Sequence, residues 1–208
     1  MNYKLIMFDF DGTLADSLPW FLQVANQAAD KYKFKRLAES EIDTLRGYDA
    51  RRVIKYLGVP AWKIPLIARY MRGLMLESAG EISLFEGIDN LIKRLADKKV
   101  ILAVVTANSY ANVQRILGPE LAARITYYEC SVPMFGKSRR FRKILLASGV
   151  RREEALCVGD ELRDSEAARR ERIPFGAVSW GMTHVEALKA HAPHEVFSSV
   201  DEMIAKLT

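Results

Sequence analysis

The feature that most constrains the fold is the alternation of apolar runs with helix-like segments after residue 84. The run VILAVV (100–105) is apolar throughout and rich in β-branched residues, which is typical of a strand covered on both faces. Apolar residues at helical spacing precede it in 88–95. Further strands are predicted at 125–130, 155–158, 175–179 and 196–197, with helices between them. Strands that alternate with helices predict an α/β fold with a doubly wound, mostly parallel sheet.

The stretch between the first strand, LIMF (5–8), and residue 99 is poor in strand signals. Pro19 stands at the start of a predicted helix, 41–57 is predicted to be helical with a break near Gly47, and 66–75 has the apolar spacing of a longer helix. We therefore expect two units. Residues 1–15 and 83–208 form the α/β core, and residues 16–82, named here the helical insert, form an all-helical unit between them.

Composition and charge exclude several classes of protein. Half of the 208 residues are apolar, which is enough for a packed core, and no segment has the ~18 uninterrupted apolar residues of a membrane helix. We expect no signal peptide, no membrane partner and a cytoplasmic location. The net charge is +5, but the basic residues are spread and accompany no recognition motif, so we expect no nucleic-acid partner. A monomer is expected, with a dimer left open.

The chain has two cysteines, Cys130 and Cys157, and no CxxC pair. Both lie in apolar segments, where lone thiols are most simply buried and reduced. We therefore expect two free thiols and no disulfide.

Polar residues follow three of the predicted strands at the point where each strand ends. Asp9 and Asp11 follow LIMF, Thr106 and Asn108 follow VILAVV, and Asp160 follows ALCV. In a doubly wound sheet, ligands bind outside the carboxyl ends of the strands. The sequence therefore predicts one crevice in which these side chains meet.

The acids of this crevice point to a metal ion. Two carboxylates about 5 Å apart repel by roughly 3 kcal/mol at an effective dielectric near 20. Asp160 and Asp164 add to the repulsion between Asp9 and Asp11, and a shared proton, a cationic side chain or a metal ion must relieve it. Oxygen ligands without nearby His or Cys suit a hard cation, above all Mg²⁺.

The remaining polar residues fit a phosphorylated ligand. Mg²⁺ commonly shares its coordination shell with substrate phosphate. Thr106 supplies a hydroxyl, Asn108 an amide, and the backbone N–H groups around Ala107 open the next helix. Lys137 supplies a positive charge, and Gly12 lies in the turn after Asp11. Each feature alone also fits a plain turn, a helix cap or a solvated charge, but together they favour phosphoryl transfer.

The motifs resemble those of the haloacid dehalogenase-like superfamily, in the expected order. They are DFDGT (9–13), the strand that ends in Thr106, Lys137 and GDELRD (159–164). The helical insert looks like the small helical cap of that superfamily, and the core would be Rossmann-like. The stretches FGKSRRFRKIL and VGDELRDSEAARRERI are most similar to the phosphoglycolate phosphatase-like branch.

The resemblance implies a Mg²⁺-dependent phosphatase that hydrolyses a small phosphomonoester through an aspartyl-phosphate. Asp9 would be the nucleophile and Asp11 the general acid and base. Thr106 and Lys137 would complete the catalytic set. Metal ligands would come from Asp9, the backbone carbonyl of Asp11, Asp160 and Asp164, with Glu161 as a further candidate. A small phosphorylated metabolite is the expected partner.

The sequence of the helical insert says little about the identity of the substrate. The resemblance assigns LRGYDARRV (45–53) to substrate selection, so Arg46, Arg51 or Arg52 would contact a carboxylate or second phosphate. Solvated arginines are an equal alternative. We assign substrate binding to Gly12, Ala107, Asn108 and Arg46.

Two other functions stay open. A sugar phosphomutase would use the same two aspartates, and a catalytically silent module would keep the site only to bind a phospho-ligand. The four motifs retain their acids, which argues against the silent module. Asp11 argues against the dehalogenase and phosphonate-cleaving branches, which the resemblance implies lack an acid there.

Overall fold

The computed structural model describes residues 3–208 and contains one six-stranded sheet. The strands are β1 (Leu5–Phe8), β2 (Ile101–Val105), β3 (Tyr127–Glu129), β4 (Ala155–Gly159), β5 (Phe175–Val178) and β6 (Glu195–Phe197). Their order is β3-β2-β1-β4-β5-β6, and every neighbouring pair is parallel. The predicted parallel α/β fold is confirmed.

Helices fill the connections between the strands and cover the sheet. Four lie between β1 and residue 82: α1 (Leu18–Tyr32), α2 (Glu39–Arg46), α3 (Ala50–Tyr56) and α4 (Ile64–Glu77). The others are α5 (Ile88–Asp97), α6 (Tyr110–Ala122), α7 (Lys137–Ser148), α8 (Leu162–Glu171), α9 (Val185–Lys189) and α10 (Val200–Leu207). Short 3₁₀ turns occupy Ala61–Lys63, Ala79–Glu81 and Arg152–Glu154. Within residues 3–208, none of these helices has both the length and the apolar character needed to cross a membrane.

The sheet is buried on both faces, as the unbroken apolar strands predict. In β1, Ile6 and Phe8 belong to one hydrophobic cluster, whereas Leu5 and Met7 belong to a second. Because side chains alternate along a strand, these two clusters lie on opposite faces of the sheet. The polar residues that follow β1 are therefore attached to a strand that is covered on both faces.

The helical insert contains helices and turns but no strand among its residues, 16–82. The helix break near Gly47 lies where the sequence places it, since α2 ends at Arg46 and Asp49 accepts a hydrogen bond from the N–H of Arg52 at the start of α3. The division of the chain into a core and an inserted domain stays a prediction.

Candidate active site

The sheet order brings the three polar strand ends together. Strand β1 pairs with β2 on one side and β4 on the other, with Phe8 opposite both Val104 and Val158. The residues that follow these strands therefore lie side by side at one edge of the sheet. Asp9, Thr106, Asn108 and Asp160 are all buried there, and Asp11 is half-buried.

A tight turn after β1 sets the positions of Asp9 and Asp11. The backbone N–H of Asp9 donates to the carbonyl of Val158 at 2.8 Å, and the N–H of Gly12 donates to the carbonyl of Ala15 at 2.9 Å. Gly12 has φ +77°, and a Cβ there would lie 2.9 Å from Cγ of Asp160. Only glycine allows both this conformation and this close approach.

Three buried carboxylates form the centre of the site. Asp9, Asp160 and Asp164 each offer an oxygen within 4.8 Å of the other two. At that separation each like-charged pair repels by about 3 kcal/mol at an effective dielectric near 20. Burial, followed by the charge of Asp9, raises the pKa of Asp160 well above its usual value. The pKa of Asp164 is raised to about 7 by burial, against the opposing effect of Lys137.

Lys137 is the buried cation of the site, with only 3 % of its surface exposed. Its ammonium lies 2.6 Å from Oδ2 of Asp9 and also contacts Oδ1 of Asp164. Burial opposes its charge, but Asp164 and Asp9 outweigh burial and raise the pKa of Lys137. Ionisation of all three carboxyl groups around this one ammonium would leave excess negative charge at an all-oxygen cluster. These residues therefore fit a hard divalent cation.

Asp11 lies beside this cluster and outside the triad. The amide of Asn108 donates to both of its carboxylate oxygens, at 3.2 and 3.1 Å. Burial, and then the charge of Asp9, raises the pKa of Asp11 to about 6, although the nearby hydroxyl of Ser17 and the amide of Asn108 lower it. A carboxyl with this pKa can hold or release a proton near neutral pH.

The segment after β2 presents further donors. The hydroxyl of Thr106 accepts a hydrogen bond from the N–H of Asn108 at 3.0 Å, so its own proton is available to donate elsewhere. The carbonyl of Ala107 accepts from Arg72 of α4 at 3.2 Å. Of the predicted residues of this segment, Asn108 contacts Asp11 directly, and Thr106 bonds Asn108.

Sequence reasoning missed several residues that position the acids. Thr13 donates its hydroxyl to Oδ1 of Asp160 at 2.7 Å, and the N–H of Met182 donates to Oδ2 of the same carboxylate at 2.8 Å. From α4, Met75 places its sulfur 2.8 Å from the amide of Asn108. Thr13 lies inside DFDGT and could have been found there. Met182 and Met75 lie in segments that carry no chemical motif.

The arginines of 45–53 have partners other than a ligand. Arg46 donates to the carbonyls of Gly181 and Met182, at 3.0 Å each. Arg51 stacks over Phe135 and Arg52 over Tyr48, with ring distances of 4.3 and 3.6 Å. Arg46 therefore joins the helical insert to the loop that holds Asp160, and its contact with substrate stays a prediction.

Glu161, the further candidate ligand, is paired with a neighbour. Nη2 of Arg163 donates to Oε1 of Glu161 at 2.7 Å. The carboxylate triad does not include Glu161.

Comparison with known proteins identifies the family. A phosphoglycolate phosphatase of Synechococcus elongatus is 26% identical over 206 residues, which cover 99% of this chain and 97% of that protein. An N-acetylmuramic acid 6-phosphate phosphatase of Pseudomonas putida is 24% identical, with 89% of this chain and 87% of that protein covered. A haloacid dehalogenase-like family structure from Streptococcus pneumoniae shares the fold, with a TM-score of 0.80, 20% identity and 98% of both chains covered. The haloacid dehalogenase-like hydrolase model matches residues 6–178, and the chain therefore belongs to that family.

Proposed function

We propose that this protein is a phosphatase that hydrolyses a small phosphomonoester through an aspartyl-phosphate formed on Asp9. The observation that carries the proposal is the position of Asp9. Its carboxylate is held by Lys137 and by the N–H of Phe10, at 2.6 and 2.7 Å, within the triad and beside Asp11. The names of the relatives support phosphatase activity.

The first step transfers the phosphoryl group to the protein. An oxygen of Asp9 attacks phosphorus, the bond from phosphorus to the substrate alcohol breaks, and protonated Asp11 gives its proton to the departing oxygen. Lys137 offsets charge on the nucleophile and the phosphoryl group. The Thr106 hydroxyl and the backbone N–H of Ala107 hold the phosphoryl oxygens, whereas the N–H of Gly12 stays bonded to the carbonyl of Ala15.

The second step restores the enzyme. Asp11, now ionised, takes a proton from a water molecule as that water attacks phosphorus. The bond from phosphorus to Asp9 breaks, phosphate leaves, and both carboxyl groups return to their starting states. Asn108 keeps Asp11 in place for both transfers through its two hydrogen bonds.

We propose Mg²⁺ as the cation of the site. Asp9, Asp160 and Asp164, with the backbone carbonyl of Asp11, would hold it, and when bound it would offset negative charge on the phosphoryl oxygens. Oxygen donors and the excess negative charge of the triad support this choice over softer metals.

The test is release of phosphate from a panel of phosphomonoesters, in Mg²⁺ and in EDTA, by the native protein and by Asp9→Asn. The panel includes phosphoglycolate, N-acetylmuramic acid 6-phosphate and a sugar 1-phosphate. We expect Mg²⁺-dependent release that falls by at least about 10³-fold in Asp9→Asn, because an amide cannot form the acyl phosphate. Circular dichroism checks that the variant is folded.

Two results would contradict the proposal. Full activity of Asp9→Asn would remove Asp9 as nucleophile. Isomerisation of the sugar phosphate without release of phosphate would favour the phosphomutase.

A further inference from the structure

A cavity of about 410 Å³ lies within the helical insert, between the helices α1 to α4, and reaches the core. Its lining is largely aliphatic, with methionine and aromatic side chains as well. The polar lining residues are Lys35, Arg46, Tyr48, Glu161, Arg163 and Thr183. The size of the cavity is that of a site for a small organic molecule.

The helices around the cavity do not pack tightly on one another. No residue of α3 is buried, although its Val53 and Ile54, and Leu57 directly after it, line the cavity with apolar side chains. Phe21 of α1 also lines the cavity and is 39% exposed. Apolar side chains that an ordinary helical bundle would bury therefore remain open to a ligand.

The cavity opens beside the carboxylate triad. Glu161 and Arg163 line it and are the chain neighbours of Asp160 and Asp164. Met182 also lines it and donates its N–H to Asp160 at 2.8 Å. A ligand whose phosphate lies at the triad can therefore place its remaining atoms in the cavity.

The charged lining residues already have partners within the protein. Arg163 pairs with Glu161, and Arg46 donates to the carbonyls of the 181–182 loop. Lys35 lies 2.7 Å from Glu41 and 2.6 Å from the hydroxyl of Tyr56. A carboxylate placed in the cavity would have to displace one of these partners, whereas an apolar group would not.

We propose that this cavity binds the organic part of the substrate, and that this part is apolar: an alcohol with an aliphatic or aromatic group. This inference rests on the proposed phosphatase function and narrows its substrate class. The organic part of phosphoglycolate is a single carboxymethyl group. It would leave most of the cavity unfilled, and its carboxylate would bring a negative charge to the apolar lining.

The test uses a series of alkyl phosphates with the intact chain and Mg²⁺. Burial of a methylene contributes about 0.8 kcal/mol, which corresponds to roughly fourfold in affinity. Hexyl phosphate has four more methylenes than ethyl phosphate, so full burial of all four would raise kcat/KM on the order of 10²-fold. We expect a rise of at least about tenfold, which requires burial of only two of them, and we expect hexyl phosphate to exceed phosphoglycolate. Equal values for ethyl and hexyl phosphate would overturn the inference.

Two variants fill the cavity independently. Ala25→Phe on α1 and Ala68→Phe on α4 place a ring in its lining. Each should lower the ratio of kcat/KM for hexyl over ethyl phosphate by about tenfold. The control is Ala147→Phe, at an exposed position of α7 outside the cavity, which should keep the native ratio. Thermal unfolding checks that all three variants fold, and unchanged ratios in both filled variants would show that the cavity is only a gap between helices.

A binding experiment separates this inference from the proposed function. Calorimetry of ethyl and hexyl phosphate with Asp9→Asn measures affinity without turnover. Binding of hexyl phosphate that is tighter than that of ethyl phosphate by tenfold or more supports the apolar site, whether or not the native protein releases phosphate. Absence of phosphate release would overturn only the proposed phosphatase activity. Equal binding of the two overturns the apolar site even if phosphatase activity is found.

Discussion

At the scale of single residues, Lys137 shows how the site accommodates several buried carboxylates. Its ammonium contacts Asp9 and Asp164, so one cation partly compensates the buried carboxylates that the mechanism needs. The sequence singled out Lys137 as a positive charge for the site, and the resemblance implied that it offsets charge on Asp9. Its second contact, with Asp164, had no sign in the sequence. Those contacts depend on how α7 packs against β2 and α8.

Lys137→Met should destabilise the protein strongly. Removal of one partner from a buried ionic network costs about 3–5 kcal/mol, because the remaining charges are left unpaired. We expect a loss of this size in the free energy of unfolding, measured with urea in EDTA. The control is Lys143→Met on the same helix, whose side chain is 65% exposed and pairs with Glu129. That variant should lose at most about 1 kcal/mol, and equal losses would contradict the role of burial.

The two cysteines should differ in reactivity. Both are free, as predicted, with Cys157 buried and Cys130 half-buried. Burial, and then the charge of Glu129, raises the pKa of the Cys130 thiol to about 11. Since the thiolate is the reactive form, alkylation of Cys130 by iodoacetamide should rise about tenfold per pH unit from 7.5 to 9.5.

Peptide mapping by mass spectrometry follows the two thiols separately, and Cys157 should stay unmodified while the protein is folded. An alkylation rate of Cys130 that levels off near pH 8.5 would indicate an ordinary thiol. Denatured protein is the control, in which both cysteines should react alike.

At the scale of secondary-structure elements, the start of α6 connects the helical insert to the site. Ser109 caps this helix by accepting from the N–H of Asn112, as its position after TAN predicts. The amide of Asn112 donates to the carbonyl of Arg72 on α4 and to Oδ1 of Asn108, at 3.0 and 2.8 Å. The cap could be predicted because it is local. The contact with α4 could not, because it joins segments far apart in the chain.

Asn112→Ala should weaken catalysis although Asn112 has no contact with the substrate in the proposed mechanism. Loss of its hydrogen bonds frees Asn108, which in turn positions Asp11. We expect kcat for the best substrate to fall about tenfold with little change in KM, and stability to fall by about 1–3 kcal/mol. The control is Arg115→Ala, an exposed residue of the same helix. A change in KM alone would contradict a positioning role.

At the scale of the whole molecule, the sequence predicted the sheet, its strands and the convergence of Asp9, Thr106 and Asp160. These predictions succeeded because strand periodicity and strand ends are local signals that the parallel topology then assembles. The cavity could not be predicted, because apolar faces at helical spacing look the same whether they pack together or stay apart. The contact of Arg46 with the 181–182 loop could not be predicted either, because it joins segments far apart in the chain.

Mg²⁺ should stabilise the whole molecule if the triad binds it. A ligand at 100 times its Kd adds about 2.7 kcal/mol to the native state. For a chain of this size we therefore expect Tm to rise by roughly 5–10 °C over the value in EDTA. Asp160→Asn should lose most of this rise, whereas Asp97→Asn, at an acid that is 73% exposed, should keep it. An identical rise in all three proteins would mean that the ion binds elsewhere.

The central place of β1 also has a consequence for synthesis of the chain. Leu5 pairs with both Ile101 and Ala155, so the strand that leads to Asp9 is translated long before either of its neighbours exists. Helices α1 to α4 can form on the ribosome before the apolar segment LIMF has either of its partner strands. The nascent chain therefore acquires Asp9 first and the complete carboxylate triad last, and the interval between the two is when a holding chaperone would matter most.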